Sequence, residues 1–191
     1  MTSSQPHQTP RPAVFLDRDG TIIRDVNYLR TADQIELLPG VPDALRQLRS
    51  GGFLLVLVTN QSAVARGYVT EDDVRAVHDA LQALLRPHGA QMDAIYYSPY
   101  LPEGTVPQYA RRSECRKPAP GMLLQAAREL NIDLTRSYMV GDKDTDVEAG
   151  RRANCRTVLL GSPGGQVQPD LIARDLPHAA AIILEETRRG D

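Results

Sequence analysis

Four short segments carry the side chains best able to do chemistry: "DRDG" with Asp17 and Asp19, "TNQS" with Thr59 and Asn60, "RKP" with Lys117, and "GDKDTD" with Asp142. Neighbouring carboxylates resist joint ionisation unless a cation sits between them, and an oxygen-only ligand set suits Mg²⁺, which keeps several of its waters. This reading places Mg²⁺ with Asp17 and Asp142. A metal beside a lysine and a hydroxyl/amide pair is what a phosphoryl group needs: Lys117 neutralises charge while Thr59 and Asn60 donate hydrogen bonds. A carboxylate can also be the nucleophile, forming an aspartyl phosphate that water then hydrolyses; Asp17 is best placed for that. Asp19 would protonate the leaving alkoxide and later take a proton from water.

These residues need a scaffold that delivers them to one place. "AVFLD" and "LLVLVTN" are apolar runs that break at polar residues, as buried parallel strands do. "GVPDALRQLRSGG" has Val41, Leu45 and Leu48 at helical spacing and stops at a glycine pair, which makes one βαβ unit. "TEDDVRAVHDALQALLRPHG" is a second helix, with Thr70 as cap and Val74, Val77, Leu81, Leu84 and Leu85 on one face. Strand "DAIYYS", a loop from Ser98 to Pro118, helix "GMLLQAAREL", strand "SYMVGD", helix "DTDVEAGRRA", strand "TVLLG" and a last helix around "HAAAIILEETRR" complete the order. Such alternation means an α/β fold with a largely parallel sheet, whose ligands bind beyond the carboxyl ends of the strands. Every polar segment named above stands at such an end or in the loop before a helix.

Other readings fall on spacing. "DRDGTI" has its glycine at the fourth position of a calcium loop instead of the sixth, and the loop starting at Asp142 has Ala153 where a bidentate glutamate belongs. No GxGxxG follows the first strand and no GxxxxGK[ST] occurs, so dinucleotide and P-loop binding lose their support. His7, His78, His88 and His178 have no visible nucleophile partner and are read as surface or packing residues.

The 191 residues fit a single domain, expected over residues 13–191 after a frayed tail of residues 1–12. Twenty-two basic and twenty-four acidic residues give a charge of −2, so nothing advertises nucleic acid or a membrane surface as partner. Cys115 and Cys155 are isolated thiols, which suits a reducing compartment. No apolar run approaches the roughly 20 residues that cross a bilayer, and the cytoplasm is the expected address.

The stations "DRDGT", "TNQS", "RKP" and "GDKxxD", in this order, resemble the haloacid dehalogenase (HAD) superfamily of aspartate-nucleophile phosphatases. "FLDRDGTI", "LLPGV", "VTNQS", "CRKPAPGM" and "GDKDTD" resemble more narrowly the D-glycero-D-manno-heptose 1,7-bisphosphate phosphatases and the related histidinol-phosphate phosphatases. The resemblance implies a Rossmann-like fold with helices on both faces and almost no cap domain. It implies Asp17 as nucleophile, Asp19 as acid/base, Thr59 and Lys117 as stabilisers of the transferring phosphoryl group, and Mg²⁺ held by Asp17, the Asp19 carbonyl and Asp142. Substrate contacts are implied for Asp25, Tyr28, Asn60, Gln61, Ser62 and Arg116, the last reading a distal phosphate; Arg18 and Lys143 are placed with them.

The loop departs from the relatives' pattern. They hold a structural Zn²⁺ with three cysteines and a histidine, where this sequence has Ser98, Tyr100 and Ser113, leaving Cys115 alone. No zinc is expected, and packing of Tyr100, Leu101 and Tyr109 has to order the loop instead. The resulting expectation is a monomeric Mg²⁺-dependent phosphomonoesterase for a small sugar bisphosphate, heptose 1,7-bisphosphate first and histidinol phosphate second. A DNA 3′-phosphatase lacks a basic patch, and a silent phosphate-binding module would not need all five of Asp17, Asp19, Thr59, Lys117 and Asp142.

Overall fold

The computed structural model describes residues 9–162 and 165–190. Its strands are β1 (Ala13–Leu16), β2 (Leu54–Asn60), β3 (Ala94–Ser98), β4 (Tyr138–Gly141), β5 (Arg156–Leu160) and β6 (Leu171–Ala173). Its α-helices are α1 (Val41–Ser50), α2 (Ser62–Ala65), α3 (Glu71–Leu85), α4 (Gly121–Leu130), α5 (Asp144–Arg152) and α6 (Leu176–Gly190). The strands form one parallel sheet in the order β3-β2-β1-β4-β5-β6. Chain order reverses at β1, so a crevice opens beyond its carboxyl end and that of β4.

Alternation along β1 explains why both faces are covered. Val14 and Leu16 point to a core with Leu45 and Leu48 of α1, Val77, Leu81 and Leu85 of α3, and Ala179, Ala180 and Ile183 of α6. Ala13 and Phe15 point to the other core, with Met122, Leu123 and Ala126 of α4 and Ala149 of α5. A strand buried on both faces reads as one continuous apolar run, which is how "AVFL" and "LLVLV" appear in the sequence. No domain is inserted between β1 and α1, where residues 17–40 hold one 3₁₀ turn, Ala32–Gln34, or between β3 and α4.

Two elements escape the sequence pattern. β6 has only three residues, and its lead-in Asp170 pins it by accepting hydrogen bonds from Thr157 N and Oγ1 at 2.8 and 2.7 Å. Helix α2 is one turn long, directly after "TNQ". The frayed tail expected to reach Pro12 is shorter in its described part, because backbone hydrogen bonds fix the chain earlier. Arg11 N donates to Asn131 O (3.0 Å), Asp133 N to Arg11 O (2.9 Å) and Leu54 N to Pro12 O (3.0 Å). Residues 1–8 of that tail lie outside the described residues.

The segment between β3 and α4 has no regular element, yet hydrogen bonds fix it at several points along its length. Thr105 N and Val106 N donate to Ala65 O at 2.8 and 3.0 Å, Leu101 N to Tyr109 O at 3.1 Å, and Gly121 N to Glu114 O at 2.8 Å. Leu101 is buried; Tyr100 and Tyr109 are half-buried with ring centroids 6.2 Å apart, and Arg111 stacks 4.3 Å over Tyr100. Tyr109 and Tyr97 hydroxyls both donate to Glu71, each at 2.6 Å, which ties the loop to the start of α3.

Candidate active site

Asp17 follows β1 and extends its ladder, its N–H donating to Val140 O at 3.0 Å. The residue is 5% exposed. Lys117 comes from the loop and is buried too, with Nζ 2.8 Å from Asp17 Oδ1, 2.6 Å from Asp146 Oδ1 and 2.8 Å from Val58 O. Burial pulls the ammonium pKa down, but Asp17 and Asp146 outweigh it and hold it above its ordinary value. The lysine therefore stays a cation at the floor of the site. Asp146 is the functional residue that sequence reasoning passed over. It lies in the first turn of α5, accepts from Lys143 N at 3.1 Å, and its carboxyl pKa is raised by burial against the pull of Lys117. Its signal was present: it is the second acid of "GDKxxD", one helical turn after Asp142.

Carboxylate oxygens of Asp17, Asp142 and Asp146 lie within 4.8 Å of one another. Asp142 Oδ1 is buried without a hydrogen bond, its nearest cation being Lys143 Nζ at 4.0 Å. Burial pushes the Asp142 carboxyl up to about 6; Lys143 opposes this, while Asp17 and Asp146 add to it. Three crowded carboxylates with an orphaned oxygen fit a hard divalent cation. Two glycines make the crowding possible: a Cβ on Gly20 (φ +83°) would collide with the Asp142 carboxylate, and one on Gly141 with that of Asp146. Asp17 and Asp142, the pair expected from the sequence to hold Mg²⁺, thus stand with Asp146 in a trio that could hold a cation, and the Asp19 side chain stands outside it.

Asp19 belongs to a separate network. Arg18 NH2 reaches its Oδ1 and Oδ2 at 3.1 and 3.0 Å and Arg18 Nε its Oδ1 at 3.2 Å, while Gln61 Nε2 donates to Oδ2 at 3.1 Å. Arg18 NH2 also donates to Gln61 Oε1 at 2.9 Å, and NH1 lies 3.3 Å from His78 Nε2. Because arginine only donates, His78 accepts there through a neutral ring, and burial followed by the charge of Arg18 drives its pKa down to about 3. Of the two readings of His78, surface or packing, burial leaves packing, and the ring is the far support of this network; the expectation that changes is Arg18, which is 2% exposed and spends its guanidinium on protein partners, so it braces Asp19.

Asn60 is also differently employed. Its Nδ2 donates to Lys117 O (3.0 Å) and its Oδ1 accepts from Lys117 N (3.1 Å), so the amide clamps the lysine backbone and is not free for a phosphoryl oxygen. Thr59, fully buried, accepts from Gln61 Nε2 at 2.8 Å and keeps its own hydroxyl proton available. Beside these lies a polar cleft of about 160 Å³, lined by Arg18, Asp19, Asp25, Tyr28, Asn60, Gln61, Ser62 and Lys143, among others. Lys143 Nζ pairs with Asp25 Oδ2 at 3.2 Å across it. Arg116, half-buried next to Lys117, donates from NH1 to Tyr100 O at 3.1 Å. Asn27 and Tyr28 have φ of +53° and +69°, a strained backbone for a tyrosine, and this turn carries the ring to the cleft.

Residues 114–186 match the family model described as "HAD-hyrolase-like". The chain is 47% identical to the D-glycero-beta-D-manno-heptose-1,7-bisphosphate 7-phosphatase of Yersinia pestis, over 88% of this chain and 94% of the relative. It is 45% identical to the D-glycero-D-manno-heptose-1,7-bisphosphate 7-phosphatase of Thermosynechococcus vestitus, over 91% of this chain and 94% of the relative. Among solved structures it is similar to the D,D-heptose 1,7-bisphosphate phosphatase of B. bronchiseptica complexed with magnesium and phosphate. That match has a TM-score of 0.80 and 31% identity, covering 92% of this chain and 99% of the other. The chain belongs to the D-glycero-D-manno-heptose-1,7-bisphosphate phosphatase family, within the HAD superfamily of phosphoric monoester hydrolases.

Proposed function

We propose that this enzyme removes the 7-phosphate of D-glycero-D-manno-heptose 1,7-bisphosphate, with the β anomer the better substrate. The observation that carries the reaction is the meeting of Asp17, Lys117, Asp142 and Asp146 at the carboxyl ends of β1 and β4. The substrate follows from the relatives named for it at 45–47% identity. Asp17 attacks phosphorus as the bond to the 7-oxygen breaks, and Asp19 gives that oxygen its proton. Water then attacks the aspartyl phosphate, Asp19 takes the water's proton, and the bond from phosphorus to Asp17 breaks to release inorganic phosphate. Lys117 and the Thr59 hydroxyl stabilise charge on the transferring group, and Asn60 holds Lys117 where it must be. Mg²⁺, bound by Asp17, Asp142, Asp146 and the Asp19 carbonyl, would polarise the phosphoryl oxygens and offset the charge of the carboxylates. Asp25, Tyr28, Gln61, Ser62, Lys143 and Arg116 form the substrate side of the cleft.

The protein works without zinc, as a monomeric single domain in the cytoplasm, on a small molecule and not on nucleic acid or membrane. The test compares kcat/KM, with Mg²⁺, for both anomers of the bisphosphate and for histidinol phosphate, in wild type and Asp17→Asn. The β anomer should be preferred, the variant should lose at least about a thousandfold, and elemental analysis should find no stoichiometric zinc. Equal rates on all three substrates would overturn the substrate reading, and an active Asp17→Asn enzyme the mechanism.

A further inference from the structure

Asp19 has to present its carboxyl to the leaving oxygen, yet it stands in the turn after β1, outside any strand or helix. Its orientation comes from Arg18. Arg18 Nε and NH2 reach Asp19 Oδ1 at 3.2 and 3.1 Å, NH2 reaches Oδ2 at 3.0 Å, and NH2 also donates to Gln61 Oε1 at 2.9 Å. All of these bonds leave one edge of the guanidinium. A planar fork gripped at one edge still swings with its flexible stem, and a grip on the third nitrogen stops it. That grip is His78, whose Nε2 lies 3.3 Å from Arg18 NH1.

His78 is suited to the task. It sits in the middle of α3, 5% exposed, on a helix packed against the core. Its ring also meets the Tyr97 ring, centroids 5.6 Å apart and planes at 60°, and the Tyr97 hydroxyl donates to Glu71 at 2.6 Å. Burial, and after it the charge of Arg18, keeps the imidazole neutral, so Nε2 offers the arginine a lone pair. The walls of the substrate cleft include Arg18, Asp19 and Gln61 but not His78. Any effect of the histidine on the chemistry has to pass through Arg18.

We propose that His78 is a positioning residue for the acid step: from α3 it fixes the Arg18 guanidinium, and through it the Asp19 carboxyl that protonates the departing sugar oxygen. In that step the bond from Asp17 to phosphorus forms and the bond from phosphorus to the sugar oxygen breaks. The electron pair stays on that oxygen, which takes the proton of Asp19. The inference rests on the reading of Asp19 as the acid and deepens it.

The experiment measures kcat/KM, with Mg²⁺, for heptose 1,7-bisphosphate, whose alkoxide needs the proton, and for 4-nitrophenyl phosphate, whose nitrophenolate leaves without one. The ratio of the two does not depend on how much of a variant is folded. His78→Ala leaves space and His78→Leu fills it; each should lose about tenfold or more on the bisphosphate relative to the aryl ester. His78→Gln, whose amide oxygen can accept from Arg18 NH1, should recover most of the ratio. A ratio unchanged in the Ala and Leu variants, even with both rates lowered, marks a purely structural histidine and overturns the proposal. So does a Gln variant no closer to wild type than Leu. Asp19→Asn should shift the ratio further, by about a hundredfold, the low end of what a general acid contributes. If Asp19→Asn leaves the ratio unchanged, the acid reading itself fails. If it shifts the ratio and the His78 variants do not, only the assignment of His78 fails.

Discussion

The charge on Asp142 burdens the fold until a cation arrives. Its folded pKa of about 6 lies above the ordinary 3.8, so folding favours the protonated acid. That contribution is complete below about pH 4 and is lost as pH rises through about 6. Two outcomes follow for thermal melting. Without metal, Asp142→Asn should melt higher than wild type at pH 7.5, because an amide removes the repulsion with Asp17 and Asp146. With Mg²⁺, wild type should gain more in Tm at pH 7.5 than at pH 5, where protons compete for the ligand, and the variant should gain much less. A variant that melts no higher without metal, or a shift that ignores pH, sinks this account. The sequence showed Asp17, Asp19, Lys117 and Asp142 because each stands beside a strand end or a motif turn. Asp146 was visible only as the last acid of "GDKxxD", where an acid in the first turn of a helix passes for a cap, and His78, inside α3, passed for a surface or packing residue.

The element that most needs outside support is the segment between β3 and α4, which carries Arg116 and Lys117 with no helix or strand of its own. Its anchor on α3 is Glu71, whose pKa is lowered first by Tyr109 and then by Tyr97. Glu71→Ala removes the acceptor of both hydroxyls, each bond being worth about 1–2 kcal/mol when the acceptor is charged and the site half-exposed. The expected result is faster hydrogen exchange across residues 99–116 and lower kcat/KM for the bisphosphate, while exchange in β1 and β4 is unchanged. Uniformly faster exchange would show that Glu71 stabilises the fold at large and not the loop. Prolines and one glycine identified this stretch as irregular, but the partners that order it, Glu71 and Ala65 O, are remote in sequence and left no local pattern. β6 and α2 were hidden for a related reason: three or four residues are too few to express a period, and Asp170 does for β6 what apolar alternation does for longer strands.

At the scale of the molecule, the strand order could not be read from periodicity, since any permutation of buried parallel strands gives the same apolar runs. What the sequence did carry was the consequence, that polar residues cluster at the carboxyl ends. Asp17 and Asp146 are far apart in the chain, and the trio closes only when β1 is paired with β4 and α5 has started. Lys117 reaches it only when β2 and the loop are also in place. Metal binding should therefore report the whole sheet and not a local unit. In urea, far-UV circular dichroism and emission from the seven tyrosines, undisturbed by tryptophan, should give coincident transitions. Mg²⁺ at ten times its Kd should displace both by the same free energy, about 1.4 kcal/mol, with the slope m unchanged. If Mg²⁺ moved the tyrosine signal but left the dichroism transition in place, the site would be a local structure that melts separately from the sheet. The sheet's topology would then not be what assembles it.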